Sequence, residues 1–337
     1  MGKSSIRLVF LYAGKYNSTD SYTIFTESNI NSLSNASAFV ICCTDKYAVY
    51  SMGPYTELIN AIASQAAILK SKSKQFYVGI PCISAPAGYS ATDRTRDYGL
   101  LKPYILAVKT KLTQNNTWAS CAGFYWTNER VFDTVNASSP MSNQHVQLMN
   151  DIAYVIRNDP NSGINKDFIW SPYLGFNSDY YNITNNLGIV ANKTSIFNTI
   201  FLQSQYYFTP ESGAWNQSTR TGVPAANLEL AYKSALDNKV YNYASATTPS
   251  GEVVVGSSKT GNTMIGANIE CDNYLNSQNP LYAPYYIAQA AKYKPLLMTS
   301  GKPFIAYGGS HDGIIGFQLY KPVDKFYQDG TYRSPLA

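Results

Sequence analysis

Charge is scarce in this chain. Lys, Arg, Asp and Glu together make up 14% of the 337 residues, against roughly a quarter in ordinary soluble domains. The net charge of +5 is spread along the sequence. No basic stripe interleaved with aromatics is present, which argues against nucleic acid as a partner. Two histidines, His145 and His311, are too few for a His-rich zinc centre. The five cysteines (Cys42, Cys43, Cys82, Cys121 and Cys271) lie in or beside apolar runs without a C-x-x-C or Cys/His spacing. An odd count in such positions favours free core thiols over a disulfide framework. No metal and no cofactor is therefore expected. No apolar stretch reaches the about 18–20 residues that a membrane-spanning helix needs. No Gly-x-Gly-x-x-Gly turn follows an early strand and no Gly-x-Ser-x-Gly elbow occurs, which weakens dinucleotide binding and Ser-His-Asp hydrolysis. The start, Met1-Gly-Lys-Ser-Ser, leads directly into a strand-like segment, so a signal peptide is not expected there.

What the chain does have is a succession of short apolar runs: Ile6–Gly14, Ala38–Asp45, Gln75–Ser84, Cys121–Glu129, Phe168–Gly175, Thr199–Phe208, Met264–Asp272 and Ile314–Tyr320. Most are rich in Ile, Val, Phe and Tyr without strict alternation, as expected of strands covered on both faces. Helical periods lie between them. Pro54–Lys72 sets Leu58, Ile59, Ile62, Ala66 and Leu69 along one face, and Asp93–Leu112, Asn143–Arg157, Pro224–Asn238 and Pro284–Thr299 read similarly. Shorter segments follow the first and fifth strands, at Glu27–Asn35 and Asn185–Ala191. Eight strands alternating with helices predict a (β/α)8 barrel over residues 1–337, in one domain with long loops after the strands. A doubly wound open sheet is the rival. Tyr241–Asn262, rich in Gly, Ser and Thr, is an insertion that predicts a hairpin or loop before strand seven. Phe304–Gly309 is open to a second reading as an extra short strand.

Only seven residues are Glu, and two of them occupy matching places. Cys121-Ala-Gly-Phe-Tyr-Trp-Thr-Asn-Glu129 and Met264-Ile-Gly-Ala-Asn-Ile-Glu270 each read as a buried strand that delivers a carboxylate as the chain leaves the core. In one barrel both acids would reach the same mouth, and paired carboxylates are the machinery of glycoside hydrolysis. Retention needs the two groups about 5–5.5 Å apart, one protonated and one ionised, and proximity itself raises one pKa. The plainer alternative pairs Glu129 with Arg130 or Arg157 and uses Glu270 to tie down a loop.

With Asn128-Glu129 ending strand four and Glu270 ending strand seven, the chain resembles the clan A retaining glycoside hydrolases. It is also similar to poorly characterised bacterial barrels known only as glycosidase-like. The resemblance implies Glu129 as acid/base, Glu270 as nucleophile and Asn128 as the partner of the sugar 2-hydroxyl. Tyr206 falls where that clan often keeps a tyrosine touching the nucleophile.

Sugars stack their C–H faces on aromatic rings, and this chain has 29 Tyr, 14 Phe and 4 Trp. Tyr12, Trp126, Trp170, Tyr173, Tyr206, Tyr207, Tyr274 and Tyr320 crowd the expected strand ends, and Trp215 lies in the loop after strand six. Gln203 and Gln205 on strand six, Gln318 on strand eight and Asp45 on strand two are the candidate hydroxyl partners. The partner expected is thus a poly- or oligosaccharide, with a secreted or cell-surface setting suggested by the Tyr, Asn, Ser and Thr-rich polar surface. Two alternatives stand beside hydrolysis: a barrel that binds glycans without cleaving them, and a metal-assisted hydrolase built on Asp45, Asp272 and His311. Asp272 is the rival nucleophile if the strand count is off.

Overall fold

The computed structural model describes residues 6–15, 21–22, 24–42, 52–83, 88–175, 179–206, 215–216, 221–245, 251–272, 283–309 and 313–332. Within them, eight parallel strands close a barrel. They are β1 (Arg7–Tyr12), β2 (Ala38–Cys42), β3 (Gln75–Ile80), β4 (Cys121–Trp126), β5 (Asp167–Trp170), β6 (Thr199–Leu202), β7 (Met264–Asn268) and β8 (Phe304–Ala306). Each pairs with its sequence neighbour, and β8 closes on β1 through Arg7↔Phe304 and Val9↔Ala306. Burial on both faces explains the composition: all five residues of Ala38–Cys42 are buried, as are all of Thr199–Leu202.

A helix follows every strand: α1 (Glu27–Ser32), α2 (Met52–Ser71), α3 (Ala91–Gln114), α4 (Gln144–Arg157), α5 (Tyr180–Lys193), α6 (Val223–Asp237), α7 (Ala283–Met298) and α8 (Gly313–Asp329). Local chemistry starts several of them. Thr26 with Asn29 and Ser90 with Asp93 form capping boxes before α1 and α3, and Asn143 caps α4 through the Val146 N–H. The (β/α)8 barrel expected from the sequence is therefore the fold.

One element differs from expectation. The eighth strand is Phe304–Ala306, whose three residues are wholly buried, and the run Ile314–Tyr320 is helical, within α8. Tyr320, Val323, Phe326 and Tyr327 are buried at spacings of three, three and one, the signature of a helix face. A short apolar run cannot be assigned by periodicity alone. Gln318 consequently lies on α8 rather than on a strand.

The insertion before β7 is a hairpin, Tyr241–Tyr243 antiparallel to Glu252–Val254. Asn192 at the end of α5 docks it: its Nδ2 donates to the Val240 and Val255 carbonyls, and its Oδ1 accepts from the Val240 N–H. Gly188 lets Val255 close on α5, because a Cβ there would lie 2.6 Å from a Val255 methyl.

Inside the barrel, Phe10 of β1 meets Tyr125 of β4 edge to face, with ring centroids 5.0 Å apart. These strands are not neighbours, so the contact crosses the lumen and identifies which side chains face it. Side chains alternate along a strand, so Tyr12 shares the lumen side with Phe10, and Glu129 continues the face of Tyr125.

Candidate active site

Glu129 lies three residues beyond β4, at the C-terminal mouth of the barrel, and is half-buried. Its backbone carbonyl accepts from the Tyr173 N–H at 3.2 Å, which ties the exit of β4 to the exit of β5. Its Oε1 accepts from Gln203 Nε2 at 3.1 Å. Gln203 is in turn fixed: the same Nε2 donates to the Ser171 carbonyl at 2.6 Å, and its backbone bonds Pro172 and Leu174.

Two tyrosines, Tyr125 and Tyr173, lie near this carboxylate. Tyr125 is buried in the lumen, and its phenol is pushed well above its usual range by burial, then by the neighbouring Cys42, Glu129 and Tyr307. It therefore stays protonated and available as a donor. Tyr12 stacks on Tyr22 at 4.9 Å and meets Tyr307 at 6.5 Å, and burial first and Tyr307 second raise its phenol too. Tyr173, at the mouth, is raised by burial and by Glu129 and lowered by Arg130, to which it is hydrogen-bonded.

Glu270 has different surroundings. It is 0% exposed. Its Oε2 accepts from Ser204 Oγ at 3.1 Å, Gln289 Nε2 at 2.9 Å and the Gln205 N–H at 2.9 Å, and its Oε1 lies 3.1 Å from the same N–H. Gln289 belongs to α7, so this carboxylate lies where the ends of β6 and β7 meet the helix layer. Gln205 takes the left-handed conformation, φ +53°, and the bond from its N–H to Glu270 holds that turn. Gln203, which holds Glu129, and Ser204, which holds Glu270, are consecutive, so the two acids are gripped by adjacent residues just past the end of β6.

The β7 ladder is interrupted at Ile269–Glu270 before it resumes as Cys271–Asp272 paired with Gly308–Gly309. Across the gap, the Asn268 side chain accepts from the Tyr307 N–H and donates to Ser171 Oγ.

Several other residues singled out in the sequence have structural partners. Both ends of the Asn128 amide are used on Ile83, with Oδ1 accepting at 3.0 Å and Nδ2 donating at 2.9 Å, which fastens the segment after β3. Trp126 is buried against His145 of α4 and Phe168. Trp170 is wholly buried, donates from Nε1 to the Asn128 carbonyl at 2.6 Å and stacks on Phe197. Neither indole offers a face to a sugar. Tyr206 is buried, edge to face with Tyr285. Arg157 is engaged at the opposite end of the barrel with the Ser195 and Ile196 carbonyls. Asp45, Tyr207, Tyr274 and His311 lie outside the described residues, as do the side chains of Trp215, Asp272 and Gln318.

Tyr125, Tyr307, Ser204 and Gln289 were not singled out in the sequence. Period-two spacing back from Glu129 points to Tyr125. Nothing local points to Gln289, nineteen residues from Glu270. Among the described residues no helix is long and apolar enough to cross a membrane, and no group of three or more His, Cys, Asp or Glu could hold a metal ion.

No family model matches the chain, and no curated protein matches it. Solved structures do. The C-terminal domain of Legionella pneumophila ChiA matches with a TM-score of 0.50 at 10% identity, over 97% of this chain and 100% of that one. A GH18 chitinase from Pseudoalteromonas aurantia matches at 0.44 and 10% identity, over 90% and 94%. A GH5_18 protein from Bifidobacterium longum subsp. infantis matches at 0.46 and 12% identity, over 90% and 69%. The likeness is one of fold, the (β/α)8 TIM barrel.

Proposed function

We propose that this barrel cleaves a poly- or oligosaccharide with Glu129 as the acid/base. The observation that carries the reading is the setting of Glu129: half-buried at the mouth, oriented by Gln203 and close to Tyr125 of the lumen. A carboxyl group so held is placed to protonate a glycosidic oxygen as the C1–O bond breaks. It can then take the proton of the water that attacks C1.

The partner of Glu129 is the open part of the mechanism. In a two-carboxylate displacement Glu270 would be the nucleophile, and it would have to give up its bonds to Ser204, Gln205 and Gln289 to reach a sugar. Its enclosure favours a different division of labour, in which Glu270 holds the end of β6 and Gln203 holds Glu129. The second group at C1 then comes from the substrate, as in substrate-assisted glycosidases, where a 2-acetamido group supplies the attacking oxygen. A 2-acetamido sugar is accordingly the substrate class that this arrangement favours. Charge scarcity fits a secreted or cell-surface setting.

The test is release of reducing ends from chitin, mannan and cellulose oligosaccharides by the wild type and by Glu129→Gln. The expected loss is about 10²–10⁴-fold in kcat with binding retained. Equal activity in the variant would sink the reading. A second reading, glycan binding without cleavage, is favoured by the engagement of Glu270 in the protein's own hydrogen bonds. Glycan binding with no turnover in the wild type would select it.

A further inference from the structure

The opposite end of the barrel has a cavity that the proposed chemistry does not use. Its volume is about 620 Å³, within the range of small-molecule sites. It lies at the N-terminal pole, bounded by residues at the starts of strands: Ser37 and Ala38 at β2, Gln75 at β3, Cys121 at β4, Asp167 at β5 and Asn198 at β6. Barrel interiors are ordinarily plugged by layers of bulky branched side chains. Here the corresponding places carry Ala38, Cys121 and Gly123. A Cβ at Gly123 would lie 2.1 Å from the Asp167 carbonyl oxygen and 3.0 Å from the Tyr77 ring, so glycine lets the Asp167 backbone and that ring approach β4.

Polar groups around this space have capacity to spare. The side-chain amides of Gln75, Asn158 and Asn165 are exposed and make no hydrogen bond among the described residues. The Tyr77 hydroxyl donates to Asp167 Oδ2 at 3.5 Å, the outer limit of a hydrogen bond. The nearby cations are engaged elsewhere, Arg157 on the Ile196 carbonyl at 3.0 Å and Lys166 over the Trp118 ring at 5.2 Å. An anion would meet the Asp167 carboxylate, which offsets part of the charge of these two cations. Planar amides and a carboxylate beside a tyrosine instead match the vicinal hydroxyls of a neutral sugar.

We infer that the N-terminal pole of the barrel is a second saccharide-binding site, separate from the mouth, that takes a neutral mono- or disaccharide unit of a glycan. Its ligand class rests on the glycan reading of the mouth. Its existence does not, because different residues form it.

Glu129→Gln protein, which spares the ligand, is titrated calorimetrically with chitotetraose, mannotetraose and cellotetraose. The titration is repeated with Gln75→Ala and Asn158→Ala added. Both added positions are exposed, and thermal unfolding checks the fold. Two equivalents should bind before the added changes, with the second weakened about tenfold or more after them. As a second measurement, a photoreactive saccharide should label the segment 157–167 of the unaltered chain. One equivalent in both proteins, no labelling of that segment, or displacement of the sugar by inorganic phosphate overturns the inference. The two proposals fail separately. Hydrolysis that depends on Glu129 with one equivalent bound keeps the glycosidase and removes the polar site. Two equivalents without hydrolysis do the reverse.

Discussion

Glu129 and Glu270 end similar apolar runs, yet the barrel treats them in opposite ways. Glu129 keeps part of its surface in the mouth and accepts a hydrogen bond from Gln203, which itself is anchored to the Ser171 carbonyl. Glu270 has no exposed surface and is wrapped by a hydroxyl, a backbone N–H and a helix amide. A buried carboxyl group is tolerated only where donors replace water, and Glu270 has them. What separates the two is the strand end between them. Gln203 faces one acid, Ser204 the other, and Gln205 turns the chain with φ +53°. The difference teaches that one strand exit can present an acid to solvent and use another as an internal fastener.

The largest effect should come from breaking the fastener. Glu270→Ala leaves the Gln205 N–H and the Ser204 hydroxyl without their acceptor, takes from the Gln289 amide one of its two, and opens a cavity. The expected cost is about 3–5 kcal/mol of stability in urea unfolding. Glu129→Ala, at a half-exposed position, should change stability by less than about 1 kcal/mol. Similar costs for the two would erase the distinction. A mechanism-based epoxide probe sharpens it further: Glu270 should remain unlabelled, and a covalent adduct there would restore it as the nucleophile.

A smaller effect is expected from Gln203→Leu, which removes the Nε2 that orients Glu129. Loss of such a supporting hydrogen bond should lower kcat about 10–100-fold, with KM nearly constant. If KM rises and kcat holds, Gln203 touches substrate rather than positioning the acid.

Much of this was legible in the sequence, for identifiable reasons. Seven of the eight barrel strands coincide with apolar runs because both faces of a parallel sheet are covered. The eighth was misassigned because Phe304–Ala306 is only three residues long, while the helical run after it is longer and as apolar. The mouth was harder to read. Trp126 is three residues from Glu129, an odd spacing, so alternation along the strand sends it toward α4 rather than into the lumen. Tyr125, at an even spacing, is the residue that alternation brings beside the acid. The enclosure of Glu270 could not be read locally, since it depends on an interrupted ladder and on a glutamine from the next helix.

The helix layer behind β4 provides the finest version of the comparison. There the ionisable group is His145, buried between Trp126 and Phe132, with its ring stacked on Phe132 at 4.0 Å. Its Nδ1 accepts from the Phe132 N–H at 3.0 Å, which leaves the other nitrogen to carry the proton of the neutral ring. Burial pushes its pKa down to about 3. Behind β7 donors surround the acid, whereas behind β4 the imidazole simply stays neutral. The unfolded chain takes up a proton near the ordinary value of about 6.5, and the folded chain does not until far lower pH. Stability from this site is therefore complete above that value and is lost as the pH falls toward 3. Between pH 7 and pH 5.5 the loss should be about 1 kcal/mol, measured as a drop in urea midpoint. His145→Asn, which keeps a side-chain acceptor for the Phe132 N–H but cannot titrate, should flatten that slope. An unchanged slope would mean that the acid sensitivity resides in other groups and that the imidazole is not held neutral.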